Sequence, residues 1–172
     1  MFTELEGRIS FITRIPKTAM GKIKKQYFQP LTLLDLEFDF RPRTSLQRIK
    51  DVRILCPYGS IPFDPVKSTI LLFLSEFLYY VTRGEQQNAH LFNYVKASME
   101  WLDEAEQGYA NFHLVFMMRL SRFVGFFPNL DVFQEDACFD LRNATFTSHV
   151  PLHSDYLLPL DAAQINKLIR MD

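Results

Sequence analysis

The sequence predicts an α+β chain, with a β-rich first third followed by helices and a loop-rich segment. Three observations predict it. Apolar and polar residues alternate with period two through "GRISFITRI" and "TLLDLEFDF". Helix-length apolar patterns, the first two with a capping residue, run from Asp64 to Pro128. Beyond Pro128, turn residues and short β-like runs replace the helical period. With 172 residues, 48% of them apolar and 15% aromatic, including 17 Phe, the chain can bury a ring-rich core and lacks the composition of a disordered one.

In the first strand segment, Ile9, Phe11 and Ile15 alternate with Arg8, Ser10 and Arg14. In the second, Leu34, Leu36, Phe38 and Phe40 alternate with Asp35, Glu37 and Asp39. "SLQRIKDVRIL" is a third strand with a less regular pattern, the mark of a bulge. "RPRTS" between the last two reads as a hairpin turn. The first helix has Asp64 as its N-cap, Pro65 at the first helical position and Gly84 as its stop. The second has Asn88 as cap and Gly108 as terminator, with Leu91, Val95, Ala97 or Ser98, and Leu102 as its apolar stripe. A third runs through "YANFHLVFMMRLSRFVGFF" to Pro128 and is apolar nearly all round, as the central helix of a bundle would be. The segment 129–158 is then irregular, with a hairpin around Asn143, and "PLDAAQINKLIRMD" restarts a helix with Asp161 as cap. No internal repeat or low-complexity tract is present.

Charge and cysteine usage narrow the function classes. The formal net charge is −1, yet residues 1–53 hold 11 Lys and Arg against 6 Asp and Glu. A basic first third on an acidic remainder suggests a polyanion-binding surface at one end. Cys56 and Cys138 are far apart and form no CxxC, so neither a disulfide scaffold nor a zinc site is indicated. No apolar run reaches membrane-spanning length, and "MFTELEGRIS" lacks the basic start of a signal peptide. The sequence therefore predicts a cytoplasmic protein with no membrane role and no cofactor.

Catalytic motifs are missing from the sequence: it has no GxSxG, HExxH, P-loop or GxGxxG. His149 and His153 are separated by Pro151 and cannot share a helical face, and Cys138 adds no diagnostic metal spacing. A Cys138–His149 hydrolase is a distant third reading, and the chain is expected not to be an enzyme. The basic loop is the stronger signal. Arg14, Lys17, Lys22, Lys24 and Lys25 surround "TAMG", with Tyr27 and Phe28 close behind. Lysines neutralise phosphates and release counterions, and aromatic faces can stack on unpaired bases. Arg119 and Arg122 lie on the most apolar helix. They are either internal ion-pair partners or a docking site for an acidic, apolar peptide tail. The runner-up function is a protein-interaction adaptor without intrinsic DNA binding.

"FQPLTLLDLEFDF", "LQRIKDVRIL", "PYGSIPFDPVKSTILLFLSEFLYYV", "ANFHLVFMMRLSRFVGFFPN" and "CFDLRNATFTSHVPLHSDYL" together resemble RecO, the bacterial recombination mediator family. The form without zinc cysteines, as in Bacteroidetes-type sequences, is the most similar. The resemblance covers nearly the whole chain in order. It implies a partial OB-fold β-barrel over residues 1–57 and a helical domain over 58–172 with the irregular insertion at about 129–158. It also implies a nucleoid-associated protein that binds single- and double-stranded DNA and anneals complementary strands. With its partner RecR, it would help load RecA onto DNA coated by single-strand-binding protein (SSB), whose C-terminal tail is a further partner. Family DNA contact carries over to Arg14, Lys17, Lys22, Lys24 and Lys25, and to Arg41 and Arg43. The family's zinc cysteines are reduced here to Cys138, so no metal is implied. Relatives usually begin earlier and continue for several helices past "INKLIRMD", so the sequence resembles a family member shortened at both ends. Open sheet edges, exposed apolar surface and marginal stability or oligomerisation are the expected consequences.

Overall fold

The computed structural model describes residues 1–15, 23–84, 86–130 and 133–171. They form two compact units, Met1–Ala110 and Asn111–Asp172. The boundary expected near residue 57 lies inside the first of these.

The first unit opens with a two-stranded ribbon, β1 (Phe2–Thr3) and β2 (Gly7–Arg8), paired antiparallel. Two contacts pin the ribbon to helices of this unit. The Phe2 and Phe92 ring centroids are 6.1 Å apart, and the Arg8 guanidinium lies 4.3 Å over the Tyr79 ring while also donating to the Tyr79 carbonyl. A three-stranded sheet follows, built from β3 (Ser10–Ile12), β4 (Leu33–Phe38) and β5 (Leu46–Cys56) in the order β3-β5-β4. β3 runs parallel to β5, whereas β4 and β5 form the antiparallel hairpin expected from the alternation. The sheet is open. The described strands close no barrel, so the α+β class holds while the barrel expected of an OB-fold is present as an open sheet.

The irregular pattern in β5 has a geometric cause. Glu37 is opposite Asp51 but Phe38 is opposite Ile49, which leaves Lys50 as an extra residue on β5. A second shift lies at Leu33 and Leu34. The bulge resets the alternation, so Gln47 and Ile49 before it and Val52 after it are all buried. Phe11 of β3 and Phe38 of β4 meet edge to face at 4.9 Å. Gln47 closes the "RPRTS" turn: its carbonyl oxygen accepts the Arg41 N–H at 2.9 Å, and its amide donates to the Arg41 carbonyl at 2.9 Å.

Helix α1 (Pro65–Val81) starts as expected: the Asp64 carboxylate accepts the N–H groups of Val66 and Lys67 at 2.8 and 3.1 Å, and Pro65 needs no partner. Helix α2 (Ala89–Glu104) is capped by Asn88, which accepts the Leu91 N–H at 3.0 Å. It buries Leu91, Val95, Met99 and Leu102 and ends at Ala105, before Gly108. The segment ahead of α1 is clasped to the end of α2. The Asp103 carboxylate accepts the N–H groups of Gly59, Ser60 and Ile61 at 2.7, 2.8 and 2.9 Å. Burial pushes this carboxyl's pKa up, but the main-chain donors outweigh burial and hold it below the ordinary aspartate value. Lys67 is buried under the clasp, donating to the Ser60 hydroxyl at 2.6 Å and to the Asp103 carbonyl at 2.9 Å. Tyr109 donates to the other Asp64 oxygen at 2.8 Å, and this hydrogen bond is the largest cause that lowers the Asp64 pKa.

The second unit contains α3 (Phe112–Leu120), β6 (Cys138–Asp140), β7 (Thr145–Thr147), β8 (Tyr156–Leu157) and α4 (Pro159–Ile169). α3 stops far short of Pro128. The Arg122 and Phe123 N–H groups bond back three residues, the Ser121 hydroxyl donates to the Met118 carbonyl at 2.6 Å, and the Phe126 N–H closes on Ser121. The expected hairpin at Asn143 is present as β6 and β7, and β8 pairs on the other side of β6. Ala137, Phe139, Phe146, Ala162 and Ile165 form this unit's core. Asp161 lies in the first turn of α4 rather than at its cap, which is Leu158 followed by Pro159.

Candidate nucleic-acid interface

β5 presents a row of cations on its exposed side. The bulge places Arg48, Lys50 and Arg53 outward, while Gln47, Ile49 and Val52 point to the core. β4 offers the outward acids Asp35 and Glu37, with Asp39 just beyond it. The Lys50 ammonium bonds the Asp39 carboxylate at 2.7 Å, which raises the lysine pKa above its ordinary value. Arg53 sits opposite Asp35 in register. Both cations on the β4 side of this face therefore have an acid beside them. On the β3 side, Arg48 lies opposite Ile12, and Arg14 follows β3. Both arginines are exposed, as is Ile12.

The other sequence-predicted cations distribute around this edge. Lys24 is exposed at the start of a tight 3-10 turn spanning Lys25–Phe28. Lys25 lines a shallow depression of about 510 Å³ together with Ile12, Ile15 and Phe28. Tyr27 and Phe28 are half-buried. Arg41 and Arg43 stand exposed on the turn that Gln47 braces, at the end of the hairpin. Lys17 and Lys22 lie outside the described residues. The structure thus brings Arg14 and Lys25 to the β3 edge and adds Arg48, Lys50 and Arg53. Sequence reading missed these three, because the bulge hides the alternation that marks them as outward.

In the second unit, Arg119 is half-buried and donates to the Met171 carbonyl at 2.6 Å. Arg122 is exposed, with its guanidinium 4.2 Å over the Phe127 ring. The buried Asp140 accepts the N–H groups of Arg142 and Asn143 at 2.8 and 3.2 Å and the Asn143 side-chain amide at 2.7 Å, and His153 Nε2 is 3.4 Å away. The Asn143 amide leads the causes that lower the Asp140 pKa. His153 is therefore part of a turn network, and His149 donates its own N–H to the Thr147 hydroxyl at 3.2 Å. Among the described residues, no three His, Cys, Asp or Glu side chains converge as metal ligands. No helix among them is long and apolar enough to cross a membrane.

A strand face that interleaves arginines and lysines with exposed apolar side chains has the chemistry of a surface for a polyanion. Comparison with known proteins identifies the family. Residues 62–133 match the family model described as "Recombination protein O C terminal". The chain is 50% identical to the DNA repair protein RecO of Bacteroides fragilis over 173 residues, covering all of this chain and 72% of that protein. It is 44% identical to RecO of Phocaeicola vulgatus, over all of this chain and 71% of that protein. With RecO of Azobacteroides pseudotrichonymphae the identity is 34%, again over all of this chain and 71% of that protein. The chain belongs to the RecO family of DNA repair proteins.

Proposed function

We propose that this chain binds DNA and acts in homologous recombination without catalysing a covalent reaction. Residues 1–57 carry the DNA contact, and residues 58–172 dock protein partners. Phosphate backbones are captured by Arg14, Lys17, Lys22, Lys24 and Lys25, with Arg41, Arg43 and Arg48 extending the footprint. Neutralising two backbones lowers their mutual repulsion and favours annealing of complementary strands. Docking to RecR and to the acidic C-terminal tail of SSB, the latter through Arg119 and Arg122, would bring the protein to coated single strands where RecA is loaded.

One observation supports this most. Lys50 and Arg53 each have an acid beside them, while Arg14 and Arg48 stay exposed on the β3 side. The test is fluorescence-anisotropy binding of a labelled single-stranded oligonucleotide across a salt series. The wild type should bind with a negative log–log salt slope, and Arg14→Glu/Arg48→Glu and Lys24→Glu/Lys25→Glu should each lose at least about tenfold in affinity with a shallower slope. Wild-type affinity in both variants would place the DNA contact elsewhere. No binding by the wild type would favour the adaptor reading.

A further inference from the structure

β5 carries a polar side chain in its core-facing row. Gln47 is only 3% exposed and shares that row with Ile49. A leucine would suit the packing there, and a buried amide costs stability unless it is hydrogen-bonded. The hydrogen bonds of Gln47 go to the turn ahead of it. Its oxygen accepts the Arg41 N–H at 2.9 Å. Its nitrogen donates to the Arg41 carbonyl at 2.9 Å, to the Thr44 carbonyl at 3.0 Å and to the Thr44 hydroxyl at 3.2 Å. The side chain thus pairs with the Arg41 main chain as a neighbouring strand would. The Arg41 carbonyl also accepts the Thr44 N–H at 3.1 Å and the Thr44 hydroxyl at 3.0 Å, and Pro42 restricts the backbone between them. The turn is held from the core side, and Arg41 and Arg43 are exposed on it. The acid nearest to them in sequence, Asp39, bonds Lys50. That hydrogen bond is the first cause that raises the Lys50 pKa, and the Arg41 charge acts against it, so Arg41 and Lys50 feel one another's field.

We propose that Gln47 is a positioning residue for DNA: by fixing the Arg41–Thr44 turn, it presents Arg41 and Arg43 as a preformed pair to a phosphate backbone. This rests on the DNA-binding reading above and adds to it a neutral, buried residue that makes no contact with the ligand. A guanidinium matches phosphate oxygens through paired N–H donors, so where the group stands matters as well as its charge. A loose turn would have to be ordered when DNA binds, and that entropy would be subtracted from the affinity. Gln47 orders the turn during folding instead. A residue that merely held the sheet together would weaken every contact on it alike. The bonds of Gln47 end on Arg41 and Thr44, so its loss should fall on Arg41 and Arg43 and spare Arg14 and Arg48.

The test uses the whole chain and a labelled single-stranded oligonucleotide, read by anisotropy across a salt series. Gln47→Met keeps the length of the side chain and removes its hydrogen bonds but no charge. With folding checked by circular dichroism, it should lose about three- to tenfold in affinity and lower the salt slope by about one, as if a phosphate contact had gone. The same substitution made in Arg41→Gln/Arg43→Gln should change affinity by less than about twofold, because the contacts it positions are already absent. Pro42→Gly loosens the exposed turn without touching the core. It should weaken binding with the same dependence on the two arginines, and it decides the matter where Gln47→Met does not fold. Wild-type affinity and slope in a folded Gln47→Met, with Arg14→Glu/Arg48→Glu weakened, would overturn the inference and leave the DNA reading standing. Equal losses with and without Arg41 and Arg43 would overturn it as well, since Gln47 would then serve the fold alone. A wild type that binds no DNA would overturn both.

Discussion

Lys67 Nζ lies 2.9 Å from the main-chain carbonyl oxygen of Asp103, beneath a loop whose N–H groups the Asp103 carboxylate collects. One residue thus offers its side chain to the loop and its backbone to the buried lysine. The two elements that meet are separated by some forty residues of chain, and this contact fixes where α1 begins relative to where α2 ends.

Asp103→Ala should therefore destabilise the chain by about 2–3 kcal/mol, since hydrogen bonds to a charged acceptor are worth roughly 1.5–3 kcal/mol and the loop donors lose their partner. Asp103→Asn keeps one acceptor oxygen and should cost about half as much. Urea denaturation of the two variants beside the wild type measures both. A loss below about 0.5 kcal/mol for Asp103→Ala would mean that water satisfies the loop equally well.

Acid should loosen the same region. Asp64 and Asp103 both have folded-state pKa values below the ordinary one, the first chiefly through Tyr109 and the second because its donors overcome burial. Groups depressed in this way contribute stability that is fully present above the unfolded carboxylate value, about 4, and is lost as pH falls through the lowered folded values. Urea midpoints should be flat from neutral pH to about pH 5 and decline below it. The decline should be shallower in Asp64→Asn/Asp103→Asn.

The two arginines of β5 should separate in a DNA-binding assay. Arg53 faces Asp35, while Arg48 faces Ile12. Arg48→Ala should weaken oligonucleotide binding several-fold and reduce the salt slope by about one, the signature of a lost phosphate contact. Arg53→Ala should change neither beyond about twofold. Equal losses would show that the β4 acids do not screen their neighbours.

In the second unit, two contacts of similar length should differ in worth. The Arg142–Asp155 pair is 2.8 Å long, but both side chains are more than half exposed, at 58% and 51%. Arg142→Ala should cost less than about 1 kcal/mol. Asp140→Ala strips the acceptor from two main-chain N–H groups and an amide and should cost about 1–3 kcal/mol. Thermal unfolding of the two variants ranks them.

Local signals are legible in the sequence, and long-range ones are not. Asp64, Pro65 and Asn88 act within one turn of themselves, so their capping roles are visible in the residues. The β4–β5 hairpin follows from period-two alternation and a turn. The length of α3 does not, because an apolar run carries no mark of the tight turns after Leu120. Asp161 has the right type for a cap, but Pro159 sets the start three residues earlier, with Leu158 as the cap. The Asp103 clasp joins distant segments, and nothing near Asp103 announces it. At the candidate interface, Arg14, Lys24 and Lys25 were evident from clustering. Arg48 and Arg53 were hidden because the phase of β5 changes between them.

That change of phase makes strand length and strand charge separable. Removing Lys50 would leave Ile49, Asp51 and Val52 opposite Phe38, Glu37 and Leu36 in unbroken succession, so every core-facing side chain would stay where it is. The strand would shorten by one residue without slipping. What it would lose is a single outward cation and the partner of Asp39. Lys50 is thus a place where a one-codon deletion could retune the surface potential of the sheet while leaving its interior unread.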